Sequence, residues 1–291
     1  MNLINYLDRE RKTVDRQLSQ YLKEVDNFSG ELVQAMRYSV FAGGKRLRPV
    51  LMLAIAEMFD KPAKQVLQAA CAVEYMHTST LILDDLPCMD DSDLRRGRAS
   101  LHKKFGQSTA ILASYALVAL AFDLLMKNAE RVSDDSRLAL NVTESMSRAM
   151  GHKGICAGQY VDLKSGAKKI DFKTLTYLHE HKTADLFVAS CRIAGYLCNA
   201  NAAQLKALSD YGKNMGLAFQ IFDDMLSLSK TDSELGKQTK KDKDSPNAVN
   251  LFGIERAKAL LKKYSQKSNA SLRIFAGKAG ILRDFLGVLR I

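Results

Sequence analysis

The sequence has little proline and glycine and no tryptophan. Four prolines and 17 glycines among 291 residues exclude collagen-like, proline-rich and low-complexity chains, which contain far more of these residues. Scarce proline also favours long helices, because proline interrupts a helix interior. Alternating polar and apolar runs, the pattern of half-buried strands, are not evident. Hydrophobic residues make up 47% of the chain, which predicts a folded protein rather than a disordered one.

The chain also lacks a disulfide framework and a long hydrophobic run. Its five cysteines form no CxxC pair, which indicates reduced thiols, most of them in apolar surroundings, in a cytoplasmic protein. The N-terminus carries charges where a signal peptide has an apolar core. The most apolar run, residues 111–122, is shorter than the roughly 20 residues that a membrane span needs. We expect this run to be a buried core helix in a soluble protein without stable membrane insertion.

Basic residues exceed acidic ones by 11. This excess favours an anionic partner, which is a nucleic acid, a membrane surface or a phosphorylated small molecule. Residues 255–291 are strongly basic but contain no motif, and we interpret them as mostly solvated helix surface. No helix-turn-helix, RRM or zinc pattern supports nucleic-acid binding.

Helical spacing of apolar residues dominates the chain, as at Leu32, Met36 and Val40. No change of composition marks a domain boundary, so the pattern predicts one all-α domain over residues 1–291. We expect roughly ten or more helices, with Ser133 and Asp171 as N-caps.

Five carboxylates fall within ten residues of the segment LDDLPCMDDSDLRRGR. Asp84 and Asp85 lie about 100° apart if the segment is helical. Pro87 disfavours helix at the residue before it, so the chain turns there. The turn can bring Asp90 or Asp91 back beside Asp84.

Converging carboxylates repel one another unless a cation lies between them. Oxygen ligands with open positions suit Mg²⁺, which commonly bridges to substrate phosphates. Because Arg95, Arg96 and Arg98 follow at once, the segment favours a site for metal and phosphate. The alternative is a solvated acidic loop neutralised by these arginines.

A second apolar segment, FQIFDD, also ends in paired aspartates, Asp223 and Asp224. The repeated pattern suggests two helices that present carboxylates from opposite sides of one cavity. Lysines follow in the polar stretch around Gly236–Lys237. They could reach a phosphate from a loop, or simply be solvated.

A basic turn and a histidine are further candidates for binding an anion. Gly43 and Gly44 precede Lys45 and Arg48 in AGGKRLRP, which lacks the Walker pattern, and a solvated turn is the alternative. His77 lies seven residues before the first Asp pair and on nearly the same helix face. It is either a phosphate contact or a packed core residue.

Polar residues also interrupt two other apolar stretches. Lys182 and Thr183 follow His179 and His181 in HEHKTADLF, and a lysine there needs a charge partner or a route to solvent. The two histidines lack the i, i+4 spacing of a helical zinc pair. In GICAGQYVDL, Gln159 and Asp162 are polar, with helix capping or packing as the alternative role.

In this order, the segments GGKRLRP, HTSTLILDDLPCMDDSDLRRGR, GQYVDL, HKT, and FQIFDD followed by LGK resemble the motifs of trans-isoprenyl diphosphate synthases (polyprenyl synthetases), in particular the bacterial farnesyl diphosphate synthases. The resemblance implies helices around a deep central cavity, usually in a homodimer. It also implies that isopentenyl diphosphate condenses with an allylic diphosphate, dimethylallyl or geranyl, through an allylic carbocation, with release of diphosphate.

The resemblance further implies roles for individual residues. Three Mg²⁺, or Mn²⁺ in their place, are implied on Asp84, Asp85, Asp90 and Asp223, with Asp91 and Asp224 as weaker matches. The allylic diphosphate is implied to contact Arg95, Lys182 and Lys237. Isopentenyl diphosphate is implied to contact Gly44, Lys45, Arg48, His77 and Arg96. Thr183 and Gln220 match groups near the developing cation. Catalysis is thereby assigned to Asp84, Asp85, Lys182, Thr183, Gln220 and Asp223.

Two positions depart from the family pattern. Ser227 stands where the second motif usually has a third aspartate, and we expect weakened metal binding rather than inactivity. Ser79 stands where bacterial farnesyl synthases usually have an aromatic residue that floors the cavity. Farnesyl diphosphate is the expected product, with twenty-carbon geranylgeranyl diphosphate as the alternative, and Tyr75 or Met76 could supply a floor one turn deeper.

Two other classes share parts of this pattern. A non-catalytic partner subunit is expected to lack the aspartates, which are intact here. A terpene cyclase uses the same ionisation but does not need the basic turn and His77 for isopentenyl diphosphate. We therefore expect a Mg²⁺-dependent prenyltransferase.

Overall fold

A computed structural model describes residues 2–23, 28–166, 170–229 and 247–289. The α-helices that we number α1 to α14 are, in chain order, Leu3–Tyr21, Gly30–Val40, Leu47–Met58, Leu67–Asp84, Leu101–Phe105, Gln107–Val132, Ser136–Met150, Ile155–Ser165, Phe172–Leu178, Asp185–Leu197, Ala202–Ser229, Ala248–Phe252, Ile254–Ser271 and Gly280–Phe285. Short 3₁₀ helices are Ala63–Gln65, Leu272–Ala279 and Leu286–Leu289, and His179–Ala184 is π-helical. The predicted all-α fold is confirmed.

Helix α4 lies at the centre of the bundle. It packs against α1, α2, α3, α6 and α10, and its residues from Ala69 to Met76 are all buried. A helix that is apolar on every side must be enclosed by others, since no face of it prefers water. The C-terminus of α4 is therefore held rigidly, and the first Asp pair lies at this end.

Helix α6 differs from the short buried helix expected at residues 111–122. It runs for 26 residues, Gln107–Val132. By length and composition it is the one helix in the described parts of the chain that could cross a membrane, and 39% of its most apolar window is buried. One face packs on α4, where the Asn128 side chain accepts a hydrogen bond from Ala69 N. The opposite face exposes Leu112 and Tyr115, so the expected full burial is wrong.

A hairpin that sequence reasoning did not predict follows α4. Strands β1, Leu94–Arg95, and β2, Arg98–Ala99, are antiparallel. Both turn residues, Arg96 and Gly97, have positive φ values of 55° and 75°, as a type I′ turn requires. The hairpin brings Arg95 back to Asp85 at the end of α4, whereas Arg96 donates a hydrogen bond to Gly43 O and Arg98 stacks over the Tyr38 ring.

Helix caps agree in part with the sequence. The Asp171 side chain accepts a hydrogen bond from Thr174 N and caps α9, as predicted. Ser133 is instead the residue after α6, and Asp135 is the N-cap of α7. Ser133 Oγ accepts a hydrogen bond from Asp135 N, so it shapes the turn between the two helices.

The cysteines and the basic C-terminal region lie largely as predicted. All five thiols are free, but only three are buried, and Cys88 and Cys156 are exposed. On α13, basic side chains such as Lys258, Lys262 and Lys263 are exposed. This confirms a solvated basic helix surface where the structure describes it.

Candidate active site

A cavity of about 680 Å³ opens between the C-terminal part of α4, the π-helical segment and α11. Asp84 and Asp90 line one wall and Asp223 lines another. Arg48, Arg95 and Lys182 line the same cavity. The two Asp-rich segments therefore face one cavity, as their repeated pattern predicted, and cations converge on it with them.

The chain turns back on itself directly after α4. Asp90 N donates a hydrogen bond to Asp84 O at 2.9 Å, so Asp90, rather than Asp91, returns beside Asp84. Burial raises the pKa of Asp84 to about 7, Lys182 opposes this rise and the charge of Asp90 adds to it. An anion is therefore costly here unless a cation joins it.

Asp85 faces away from this cavity. Its buried carboxylate accepts hydrogen bonds from the guanidinium of Arg95, including one of 3.0 Å from Nε to Oδ1. Burial raises the pKa of Asp85, and Arg95 opposes the rise. Asp85 thus orients Arg95, which lines the cavity, while the exposed Asp91 lies outside the cavity wall.

Arg48 and His77 lie together on the cavity wall. The Arg48 guanidinium stacks over the Phe187 ring at 4.3 Å, and its buried Nε has no hydrogen-bond partner among the described residues. Burial lowers the pKa of Arg48 to about 10, so it stays charged at neutral pH. Burial, and then the charge of Arg48, lowers the pKa of His77 well below its usual value, so His77 is neutral. A buried cation with an open donor fits an anionic ligand.

The basic turn before α3 contains one buried cation and one exposed cation. Arg46 is buried and donates to Asp15 and Glu74, so it anchors the turn. Lys45 is exposed and outside the cavity wall. A Cβ on Gly44 would lie 2.8 Å from the Arg96 guanidinium, so glycine there admits Arg96, which also lies outside the cavity wall.

The π-helical segment His179–Ala184 presents Lys182 and Thr183 to the cavity. The wider π turn interrupts helical spacing and occurs often at functional sites. Lys182 Nζ donates to Asp162 Oδ2 of α8 at 2.6 Å, which supplies the predicted charge partner. Burial lowers the pKa of Lys182, but Asp162 and Asp84 outweigh burial and raise it. Lys182 is therefore a firmly held cation.

Helix α11 supplies the opposite wall. Gln220 Oε1 accepts a hydrogen bond from Thr183 Oγ1 at 2.6 Å, and Asp223 lies one turn further on. Asp224 is buried at 6% exposure and accepts from Gln220 Nε2 at 2.9 Å. Ser227 Oγ donates to the Asp224 backbone oxygen at 2.8 Å.

The structure brings most of the predicted residues together and leaves some apart. The cavity wall contains Arg48, His77, Asp84, Asp90, Arg95, Lys182, Thr183, Gln220, Asp223 and Asp224. Outside it lie Gly44, Lys45, Asp85, Asp91 and Arg96. Lys237 lies outside the described residues. Thr80 lines the cavity, whereas Ser79 is buried behind it and its carbonyl accepts from Ser114 Oγ.

Sequence reasoning missed two contributors. Phe187 supports Arg48, and nothing in its sequence context distinguishes it from other core aromatics. His179 lies 3.2 Å from Asp224 through its Nε2. Its position three residues before Lys182 could have indicated a role near the cavity.

Comparison with known proteins relates the chain to one family. The sequence pattern of the family described as Polyprenyl synthetase matches residues 29–274. Geranylgeranyl pyrophosphate synthase 4 of Arabidopsis thaliana is 36% identical over 93% of this chain and 72% of its own length. Farnesyl diphosphate synthase of Bacillus subtilis (strain 168) is 39% identical over 88% of this chain and 86% of its own length.

A solved structure shares both the fold and the sequence. Geranyltransferase from Helicobacter pylori, described as complexed with magnesium and isoprenyl diphosphate, superposes with a TM-score of 0.85 at 30% identity. The match covers 99% of this chain and 96% of that one. Together with the family match over residues 29–274, these likenesses show that the chain belongs to the polyprenyl synthetase family.

Proposed function

We propose that this protein condenses isopentenyl diphosphate with an allylic diphosphate, dimethylallyl or geranyl, to give farnesyl diphosphate and free diphosphate. The observation that carries the proposal is one cavity that joins carboxylates from two facing helices to the cations Arg48, Arg95 and Lys182. Such an arrangement suits a metal-bound diphosphate. Membership of the family supports it.

The donor set fits Mg²⁺. Asp84, Asp90 and Asp223 offer carboxylate oxygens from two walls. No three His, Cys, Asp or Glu side chains among the described residues form a ready-made cage, which agrees with an ion that takes one or two carboxylates and completes its shell with water and phosphate. When bound, Mg²⁺ would neutralise the charge of the departing diphosphate. The number of ions, three by family resemblance, is part of the proposal.

The protein's own residues account for binding and for exclusion of water. Lys182 and Arg95 grip the allylic diphosphate, while Arg48, as a cation, and His77, as a neutral donor, hold isopentenyl diphosphate. The allylic C–O bond breaks with its electron pair on the leaving diphosphate. The isopentenyl double bond then attacks the carbocation, and the released diphosphate takes the proton that is lost. Apolar residues such as Leu81 and Phe219 line the cavity and exclude water that would quench the cation.

The assay supplies dimethylallyl or geranyl diphosphate with and without labelled isopentenyl diphosphate and Mg²⁺. We expect a prenyl product only when both are present. Diphosphate release without isopentenyl diphosphate would identify a cyclase instead. A fifteen-carbon product supports the farnesyl proposal, and a twenty-carbon product supports the geranylgeranyl alternative, which the small Ser79 suggested from sequence although it lies behind the cavity wall.

We propose that the protein is a cytoplasmic homodimer, and the exposed apolar face of α6 supports the dimer. Ile111, Leu112, Tyr115 and Met126 are 38%, 58%, 69% and 46% exposed on one helix. Apolar stripes of this kind mark interaction surfaces. A second copy of the chain could cover the stripe symmetrically, as the commonest dimers do.

A further inference from the structure

Both carboxylate oxygens of Asp224, the second aspartate of FQIFDD, already accept hydrogen bonds within the protein. Oδ1 accepts from Gln220 Nε2 at 2.9 Å. Oδ2 accepts from Ala248 N at 2.8 Å and lies 3.2 Å from His179 Nε2. The residue is 6% exposed. Its carboxylate therefore ties α11 to the π-helical segment and to α12.

These contacts fix the direction of a chain of hydrogen bonds. A carboxylate only accepts, so the amide of Gln220 must turn its NH₂ group towards Asp224. The Gln220 oxygen then faces Thr183, and the Thr183 hydroxyl must donate its proton to that oxygen across 2.6 Å. Asp224 thus determines the direction of a hydroxyl that it does not touch.

Thr183 lies on the cavity wall. With its proton directed to Gln220, its oxygen lone pairs are left for the cavity. A fixed dipole with its negative end towards a developing positive charge stabilises that charge without reorganisation. We propose that Asp224 is a positioning residue that acts through Gln220 to turn the lone pairs of Thr183 towards the allylic cation. This inference rests on the proposed function, which supplies the cation.

The substitution Asp224→Asn reverses the direction of this chain of hydrogen bonds while keeping the shape of the side chain. The Ala248 N–H, which donates at the Oδ2 position, holds the asparagine oxygen there, so its NH₂ group faces Gln220. Gln220 then rotates to accept, and its own NH₂ group faces Thr183. The Thr183 proton is left to point into the cavity, where it opposes the cation.

The double variant Gln220→Glu with Asp224→Asn restores the original direction. Glutamate at 220 accepts both from the asparagine NH₂ group and from the Thr183 hydroxyl. The total charge of the pair is unchanged. The matched control is Asp210→Asn on the same helix, since Asp210 makes an exposed ion pair with Lys206.

Steady-state synthesis from geranyl and labelled isopentenyl diphosphate gives kcat, both KM values and the Mg²⁺ requirement. For Asp224→Asn we expect kcat to fall about 100- to 1,000-fold, the scale of one lost preorganised contact, with both KM values nearly unchanged. The double variant should recover most of the lost kcat, and Asp210→Asn should match the wild type.

Several outcomes would overturn the inference. They are a wild-type kcat for Asp224→Asn, a double variant as slow as that single variant, or a raised Mg²⁺ requirement at unchanged saturating kcat, which would make Asp224 a metal ligand. If circular dichroism shows that Asp224→Asn is not folded, the double variant alone tests the inference. Activity of the double variant supports the inference, and inactivity overturns it. A wild-type protein that forms no prenyl product would overturn the proposed function itself.

Discussion

Replacing Gly158 of α8 with alanine tests how closely the π-helical segment must be held. A Cβ at this position would lie 2.6 Å from Lys182 N and 3.0 Å from the His181 carbonyl carbon. Ordinary contact begins at 3.4 Å, so the two elements must separate by 3.4 − 2.6 = 0.8 Å. Rotation of a side chain cannot relieve the clash, because these neighbours are backbone atoms.

The expected effect on stability is small. Alanine in a helix interior favours folding by about 1 kcal/mol over glycine, whereas overpacking costs about 1–3 kcal/mol. The net loss is about 0–2 kcal/mol, or at most about 8 °C in Tm for a chain of this size. Catalysis should suffer more, because a misplacement near 1 Å costs up to about 100-fold and the displaced segment carries Lys182 and Thr183.

Calorimetry and steady-state kinetics separate these two effects. We expect Gly158→Ala to lower kcat about 10- to 100-fold with a modest change in Tm. Gly280→Ala is the control, because a Cβ there meets nothing within 4 Å, and it should keep wild-type kcat. If Gly158→Ala also keeps wild-type kcat, the close approach of α8 does not position the segment.

Three further predictions concern pH, product length and assembly. Because the folded pKa of Asp84 is raised to about 7, metal-free protein should lose stability as pH rises from about 4 through about 7. Asp84→Asn should lessen this loss. If Tm, measured in EDTA, falls equally steeply with pH in the wild type and in Asp84→Asn, the prediction is refuted. Thr80→Phe should shorten the product because Thr80 lines the cavity, whereas Ser79→Phe should lower Tm by overpacking at the α6 contact. Product chromatography and Tm measurements distinguish the two variants. A shorter product from Ser79→Phe but not from Thr80→Phe would contradict this geometry. Leu112→Glu should convert a homodimer into monomers in light scattering; a wild type that is already monomeric would refute the dimer.

Local patterns in the sequence were sufficient for the fold class and for the main groups of residues that line the cavity. Helical spacing and scarce proline predicted helices. The break predicted at Pro87 allowed Asp90 or Asp91 to lie beside Asp84, and in the structure it is Asp90. The seven-residue spacing placed His77 and Asp84 on one cavity wall. These relations depend on helix geometry and on the restricted backbone next to proline, which act over a few residues.

Contacts between segments that are distant in the sequence could not be predicted from such local patterns. Helical spacing alone does not say which side of α6 meets α4, so the exposed apolar face was missed. The Asp84–Asp85 angle showed that the two carboxylates diverge, but only packing shows that Asp85 meets Arg95 on the hairpin. Asp224 resembles its neighbour Asp223 in sequence, but besides Gln220 on its own helix its partners come from two separate elements, α12 and the π-helical segment. Sequence thus specified the chemical groups and their local spacing, while the assembled helices selected their partners, because burial and hydrogen bonding depend on what packs from elsewhere in the chain.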